Sequence, residues 1–169
     1  MIAPTLQTDR LTLRVPVLAD FPAYADFMAS PRAVFMGGPM GQIQIWGAFC
    51  HDLACWALFG HGGLMVDLRL TGQTIGQVGI NAGPLFLEPE LGWMLYDGHE
   101  SKGYATEAAT GLRNWAFSNL QHDSFVSYID LRNTASARVA ERLGAILDAA
   151  APRPPGDEAD LVYRHRRPS

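Results

Sequence analysis

The segment Glu100-Ser-Lys-Gly-Tyr-Ala-Thr-Glu-Ala108 stands between an alternating run and an amphipathic one. A strand that passes through a glycine turn into a helix N-terminus aims several unpaired N–H groups at one point. The helix dipole adds partial positive charge there, so such a junction suits a phosphate. Gly103 removes a Cβ where the ligand must approach, and Ala105 does nearly the same. A plain strand–turn–helix junction needs a glycine as well, so the segment alone has both a binding and a structural reading. The usual nucleotide motifs do not fit. Gly98 and Gly103 have P-loop spacing, but Tyr104-Ala105 follows in place of Lys and Ser or Thr. No G-x-G-x-x-G follows a first strand.

The flanking patterns identify the elements that must hold this turn. Leu11, Leu13 and Val15 alternate with Thr12 and Arg14, the signature of a strand with one buried face. Asp20 suits the N-cap of a short helix carrying Phe21, Tyr24, Phe27 and Met28, and Ser30-Pro31 offers a second helix start. Ile45, Trp46, Phe49, Leu53 and Trp56 repeat at helical spacing up to Gly60. Leu64 to Leu70 and Gln73 to Ile80 flank Thr71-Gly72 as a hairpin does. Glu90 to Tyr96 puts Leu91, Trp93 and Leu95 on one face, with Glu90, Gly92 and Met94 on the other. Gly92 inside this strand indicates a bulge or a close backbone approach.

Ala105, Ala108, Leu112, Trp115 and Ala116 mark a helix running to about Leu120, and Phe125 to Leu131 a further strand. Thr134 to Leu143 reads as a helix, and Ala145 to Ala150 and Leu161 to His165 as strands around an exposed Pro-rich turn, Pro152 to Asp160. The order β-α-α-β-β-β-α-β-α-β-β gives an α/β class, a mixed and mostly antiparallel sheet flanked by helices.

The 169 residues make one domain, 1–169, and 48% hydrophobic with 18% charged residues excludes a disordered body. Thirteen Lys and Arg against 17 Asp and Glu leave −4 and no basic footprint, so no nucleic-acid partner is expected. The apolar stretches Ile43 to Cys50 and Leu53 to Phe59 are split by His51-Asp52, and both fall short of the roughly 20 residues that span a membrane. Asp9 and Arg10 precede any apolar leader region, so no signal peptide is expected. Cys50 and Cys55, five apart on one helix, cannot bridge each other and read as buried thiols of a cytoplasmic protein. No His, Cys and carboxylate cluster has metal spacing, and no metal is expected. His99 and His122, beside helix ends, read as solvated.

Taken in order, the segments resemble the GNAT superfamily of acyl-CoA-dependent N-acetyltransferases, closest to the branch of the ribosomal-protein N-terminal acetyltransferases. The matching motifs are Thr8-Asp-Arg-Leu-Thr-Leu-Arg14, Asp20, Thr74-Ile-Gly-Gln-Val-Gly-Ile80 and Glu90-Leu-Gly-Trp-Met-Leu95. Further along come Lys102-Gly-Tyr-Ala-Thr-Glu-Ala108, and Asn133-x-x-Ser136 followed by Arg142-Leu-Gly-Ala145. The resemblance covers residues 5 to 165. It implies a splayed sheet in which the strands Glu90 to Tyr96 and Phe125 to Leu131 part like a V around the pantetheine of acetyl-CoA. Trp93, Met94 and Leu95 would line that gap, and backbone groups of Ser101, Lys102, Gly103, Tyr104, Ala105 and Thr106 would hold the pyrophosphate. Asn133 and Ser136 would face the thioester.

The chain departs from the family pattern at two places. Glu100 replaces the usual Gln or Arg at the head of the loop, and Ala140 stands where many relatives carry a general-acid Tyr. The resemblance then points to Ser136 as the group that stabilises the leaving thiolate. An uncharged amine must attack, so a proton acceptor is needed; the resemblance points to Glu90, with Glu88 weaker and water the alternative. The expected activity is acetyl transfer from acetyl-CoA to a primary amine, either a small molecule or a protein N-terminus, by direct attack in a ternary complex, in a monomer or homodimer. A module of the same fold that binds acyl-CoA without turnover, or a scaffold without cofactor, remains the alternative.

Overall fold

The computed structural model describes residues 3–156 and 159–168. Eight strands form one open sheet in the order β1-β2-β3-β4-β5-β6-β8-β7. They are β1 (Leu6–Gln7), β2 (Leu11–Arg14), β3 (Gly63–Leu68), β4 (Thr74–Asn81), β5 (Glu90–Leu95), β6 (Ser124–Ile129), β7 (Ile146–Leu147) and β8 (Leu161–Arg166). Four helices cover it: α1 (Phe21–Met28), α2 (Gln42–Phe59), α3 (Tyr104–Asn119) and α4 (Thr134–Arg142). A 3-10 helix, Pro31–Met36, joins α1 to α2. Every strand pair is antiparallel except β5 with β6.

That parallel pair is the feature that makes a site. It has a single register position, Glu90 opposite Val126. Around it the Val126 N–H donates to the Pro89 carbonyl at 3.0 Å, and the buried Ser127 hydroxyl donates to the Leu91 carbonyl at 2.6 Å. Beyond that apex the strands share no further paired residues. The gap therefore opens at their C-terminal ends, where α3 and α4 begin.

One core lies between the sheet and α3, where Leu11, Leu13, Leu64, Ile75, Ile80 and Leu91 meet Ala108, Leu112 and Ala116. A second lies under α1 and α2, with Tyr24, Met28, Ile45, Phe49 and Met94. The two faces of β5 are thus divided as its alternation requires. On α2 the buried residues are Ile45, Phe49, Asp52, Cys55 and Trp56, while Trp46 is 47% exposed and Leu53 half-buried. Trp46 instead lays its ring edge-on to Phe21 at 5.0 Å, at the rim of the α1–α2 contact.

Several local expectations are corrected. Gly92 forms no bulge, because the β4–β5 ladder runs unbroken from Asn81–Glu90 to Gly76–Leu95. The irregularity is at Val66/Asp67, where the Asp67 carboxylate turns to Arg14 and Thr74. The β3–β4 connection takes Arg69 to Gln73 rather than two residues. Asp20 stands at the N-cap position of α1 as expected but makes no side-chain cap bond to it; its carboxylate accepts from the Val17 N–H and both terminal nitrogens of Arg14, bracing the 3-10 turn Leu18–Asp20. Ser30 does cap Pro31–Met36, accepting from the Arg32 N–H.

The strand expected from Ala145 to Ala150 is only the two-residue β7, and β1 adds a short edge strand. His122 is half-buried against Phe125 and His61, and His99 is half-buried too, its Nδ1 unpartnered among the described residues. Of the Pro152 to Asp160 turn, Asp157 and Glu158 lie outside the described residues. Cys50 and Cys55 are free thiols. Among the described residues no helix is long and apolar enough to cross a membrane, and no three His, Cys, Asp or Glu gather as a metal site.

Candidate functional site

A cavity of about 1020 Å³ occupies the gap between the parted strands. Trp93, Met94 and Leu95 of β5 form one wall, and Asn133, Ser136 and Val139 of α4 the other. Its end is closed by the turn leading into α3. Gly98 and Gly103 adopt left-handed φ of 81° and 82°, and Ser101 is held at φ 60°, a conformation non-glycine residues rarely take. Gly103 is the N-cap of α3 and supplies no side-chain cap, so the first-turn N–H groups of the helix face the cavity mouth without one. The buried Thr106 hydroxyl, also in this wall, has no hydrogen-bond partner among the described residues. A cradle of N–H and O–H donors without acceptors fits a diphosphate.

Of the six loop residues expected to hold it, Ser101, Gly103, Tyr104, Ala105 and Thr106 line this cavity. Lys102 does not; its ammonium turns back to the Gly98 carbonyl at 2.7 Å. The anion at Glu100 is answered from an unexpected quarter. Arg32, on the 3-10 helix Pro31–Met36, forms ion pairs with Glu100 and with Asp97. Arg138 and Arg142 add two more cations on the α4 side. Arg142 belongs to a motif legible in the sequence, but Arg32 and Arg138 had no signal there, since each depends on how separate elements converge.

The loop is braced from β2. Glu107, in the first turn of α3, accepts from the Thr8 hydroxyl at 2.6 Å, from the Arg10 N–H at 2.8 Å and from Arg10 Nε at 2.7 Å. The Arg10 guanidinium also donates to the Lys102 carbonyl at 3.0 Å and lies 4.6 Å over the Tyr104 ring. Burial alone would raise the Glu107 carboxyl, but these donors together hold it below its ordinary range.

A second cavity, of about 620 Å³, lies on the α1–α2 face of β5. The two meet at Val34, Phe35, Met36, Trp93, Asn133 and Ser136. At that junction Asn133 is the N-cap of α4, its Oδ1 accepting from the Ser136 N–H at 3.1 Å, which fixes the serine at the mouth of both. Ala140, one turn further along, is fully buried beneath α4 beside Ile129 and Tyr163. Glu90 lines the second cavity at its β5 end, beside Gly92, whose missing Cβ faces open space. Glu88 is engaged by both terminal nitrogens of Arg164 at 2.7 and 2.9 Å.

Two buried groups complete this cavity. Ser127 at the apex lies 3.0 Å from His165 Nε2, and burial first and the Arg113 charge second bring the His165 pKa down to about 4. At the far end Asp52, 8% exposed, accepts from Gln77 Nε2 at 2.9 Å, and burial pushes its carboxyl up to about 7 against that hydrogen bond. Asp52 did leave a trace in the sequence. It is the only Asp, Glu, Lys or Arg in the 18 residues of α2, and it falls within the buried stripe.

Comparison with known proteins places this architecture. Residues 10–146 match the family described as "Acetyltransferase (GNAT) domain". The crystal structure of an acetyltransferase from Agrobacterium tumefaciens strain C58 is 59% identical, with a TM-score of 0.94 over 98% of this chain and 96% of that one. RimL, a ribosomal L7/L12 α-N-protein acetyltransferase in complex with coenzyme A, shares the fold at 18% identity, with a TM-score of 0.74 over 98% of both chains. The uncharacterized protein YkkB of Bacillus subtilis strain 168 is 37% identical over 78 residues, so the match spans 45% of each chain.

Proposed function

Because the chain belongs to the GNAT acetyltransferase family, we propose that it transfers an acetyl group from acetyl-CoA to the nitrogen of a primary amine by direct attack in a ternary complex. The observation that carries this reading is the junction of the two cavities at Trp93, Asn133 and Ser136. A donor entering from the α3 side and an acceptor entering from the α1–α2 side meet there without either having to leave. Acetyl-CoA supplies the acyl group as a thioester. The Ser101–Thr106 turn holds its diphosphate, and the edge of β5 at Trp93–Leu95 holds its pantetheine.

Proximity in this closed junction supplies much of the rate. As the amine nitrogen bonds to the carbonyl carbon and the C–S bond breaks, Ser136 donates its hydroxyl hydrogen bond to the departing thiolate. Glu90, directly or through one water, takes the proton that the amine sheds. Deprotonating an α-amine near pKa 7.7 at pH 7 costs about 1 kcal/mol, against about 4.6 kcal/mol for a lysine ammonium near 10.4. The acceptor amine is therefore one of low pKa, on a small molecule or a protein N-terminus.

Incubation with acetyl-CoA, an amine panel and a thiol reagent tests the reading. Thiol release dependent on the amine is the expected result. Tight acetyl-CoA binding with no release from any amine would make the protein an acyl-CoA sensor instead.

A further inference from the structure

The far end of the acceptor cavity is a carboxylate without a counter-charge. Asp52 is buried between α2 and the sheet, its hydrogen-bond partner is the neutral amide of Gln77, and among the described residues no Lys or Arg forms an ion pair with it. The described lining of this cavity includes no Lys or Arg either. The cost of burying such a charge is relieved by favouring the protonated carboxyl, and a cation seated on it would restore the charged form. The groups that face it are Tyr24 from α1, Gln77 from β4 and Cys55 from its own helix, while the neighbouring His51 turns its ring to Phe86 and Cys55. Burial foremost, with the Asp52 charge adding to it, pushes both the Tyr24 phenol and the Cys55 thiol up, so neither offers a positive partner.

Asp52 and the junction residues Trp93, Asn133 and Ser136 line one cavity, and the strands beside it carry glycine in register. Gly63 of β3 stands opposite Gly79 of β4, which stands opposite Gly92 of β5, all on the face toward α2. A Cβ at Gly63 would lie 2.8 Å from the Asp52 Cβ and 3.0 Å from its carboxyl carbon, so α2 can seat this aspartate only over a glycine. A Cβ at Gly92 would meet nothing within 4 Å, leaving the floor clear up to β5. Two strand spacings separate β3 from β5, about 10 Å. The Asp52 side chain sits over β3 and bonds a β4 side chain, so a cation on it and a nitrogen over β5 are one to two strand spacings apart, about 5–10 Å.

We infer that Asp52 and Gln77 form a cation-recognition subsite, and that the acceptor is an α-amine or similarly weakly basic amine carrying a second ammonium or guanidinium, charged at neutral pH, at the end of an unbranched apolar chain. The chain lies over the glycine row among Met28, Met40 and Phe86, and the attacking nitrogen reaches Trp93 and Ser136. Asp52 recognises the acceptor and takes no part in bond making. This inference rests on the acetyl-transfer reading for the identity of the attacking end, but the subsite itself does not.

Lysinamide and norleucinamide provide the test, because they share the α-amine and the carbon chain and differ in the terminal ammonium. The wild-type protein is expected to use lysinamide with a kcat/KM at least tenfold above that of norleucinamide. Asp52→Asn, which keeps shape and removes charge, is expected to bring that ratio to about one. Equal use of the two by the wild type, or a loss in Asp52→Asn that is the same for both, would overturn the subsite. Calorimetry of lysinamide with the CoA-loaded protein decides the matter without turnover. At least fivefold weaker binding by folded Asp52→Asn upholds the subsite even if no amine releases thiol, an outcome that would sink only the acetyl-transfer reading. Unchanged binding overturns the subsite.

Discussion

Arg10 and Glu107 meet through two hydrogen bonds although 97 residues separate them, one from the Arg10 backbone at 2.8 Å and one from its guanidinium at 2.7 Å. The turn between β1 and β2 thereby sets where the first turn of α3 stands. Arg10→Ala is expected to weaken coenzyme A binding about five- to twentyfold by letting the loop drift, with kcat at saturation nearly unchanged. Because Arg10 is half-exposed, the loss of stability stays at about 1 kcal/mol or below. Titration calorimetry beside thermal melts separates the two effects; a large melt shift with normal affinity would make the pair purely structural.

At Gly103 the backbone itself should carry affinity. Gly103→Val forces a branched side chain onto φ 82° at the cavity mouth and should weaken coenzyme A binding at least about tenfold. Lys102→Ala should cost less than about threefold, since its ammonium is turned back on Gly98. Normal affinity in the valine variant would remove the loop from the donor site.

Ser136→Ala should leave donor affinity within a few-fold and lower turnover about 10- to 100-fold, the range for one neutral donor to a developing charge. Single-turnover rates measure it. Identical rates would assign the serine to helix geometry alone, where its N–H already serves Asn133.

For Glu90→Gln the shape of the pH profile matters more than its height. The rate should fall at neutral pH and recover as pH rises and free amine accumulates, because a base then has less to do. A loss that is uniform with pH would point to acceptor binding instead.

Two buried groups should tilt stability in opposite directions over the same range. His165, held neutral with a pKa near 4 against an ordinary 6.5, contributes stability that is complete above pH 6.5 and lost as pH falls toward 4. Asp52, raised from 3.8 to about 7, contributes stability that is complete below 3.8 and lost as pH rises through 7. The two slopes oppose each other between about pH 4 and 6.5. Urea titrations should show Asp52→Asn growing more acid-sensitive than wild type and His165→Gln less so, by up to about 3 kcal/mol across the window. Parallel profiles in all three proteins would contradict both assignments.

Much of the fold was legible because the hydrophobic period of each element is local. The alternation of Leu91, Trp93 and Leu95 against Glu90, Gly92 and Met94 assigns the two faces of β5, and the structure divides them the same way between α3 and the α1–α2 pair. The loop 100–108 was legible because a strand, a glycine and a helix start are consecutive in the chain. Arg32 and Arg138 were not, since their meaning depends on what another element brings opposite them, and Asp52 showed only as the lone charge in the buried stripe of α2. Gly92 shows the same limit from the other side. A lone glycine in a strand signals only a missing side chain, and its register with Gly79 and Gly63 comes from pairing that no local pattern encodes.

The single Glu90–Val126 pair at the apex of the sheet also has a thermodynamic consequence. Strands β1 to β5 form one half of the sheet and β6, β8 and β7 the other, joined edge to edge at that one position. With acetyl-CoA bound as proposed, its pantetheine would act as a ninth, non-peptide strand that bridges the halves. Heat resistance then becomes a property of the occupied protein. At a donor concentration of 100 Kd the linkage amounts to about 2.7 kcal/mol, and for a domain of this size that moves the melting temperature up by roughly 5–10 °C. The amides along the opening edges of β5 and β6, which open locally, should slow their hydrogen exchange on donor binding, and those of β2, β3 and β4 that exchange only through global unfolding should slow by about the linkage factor of 100.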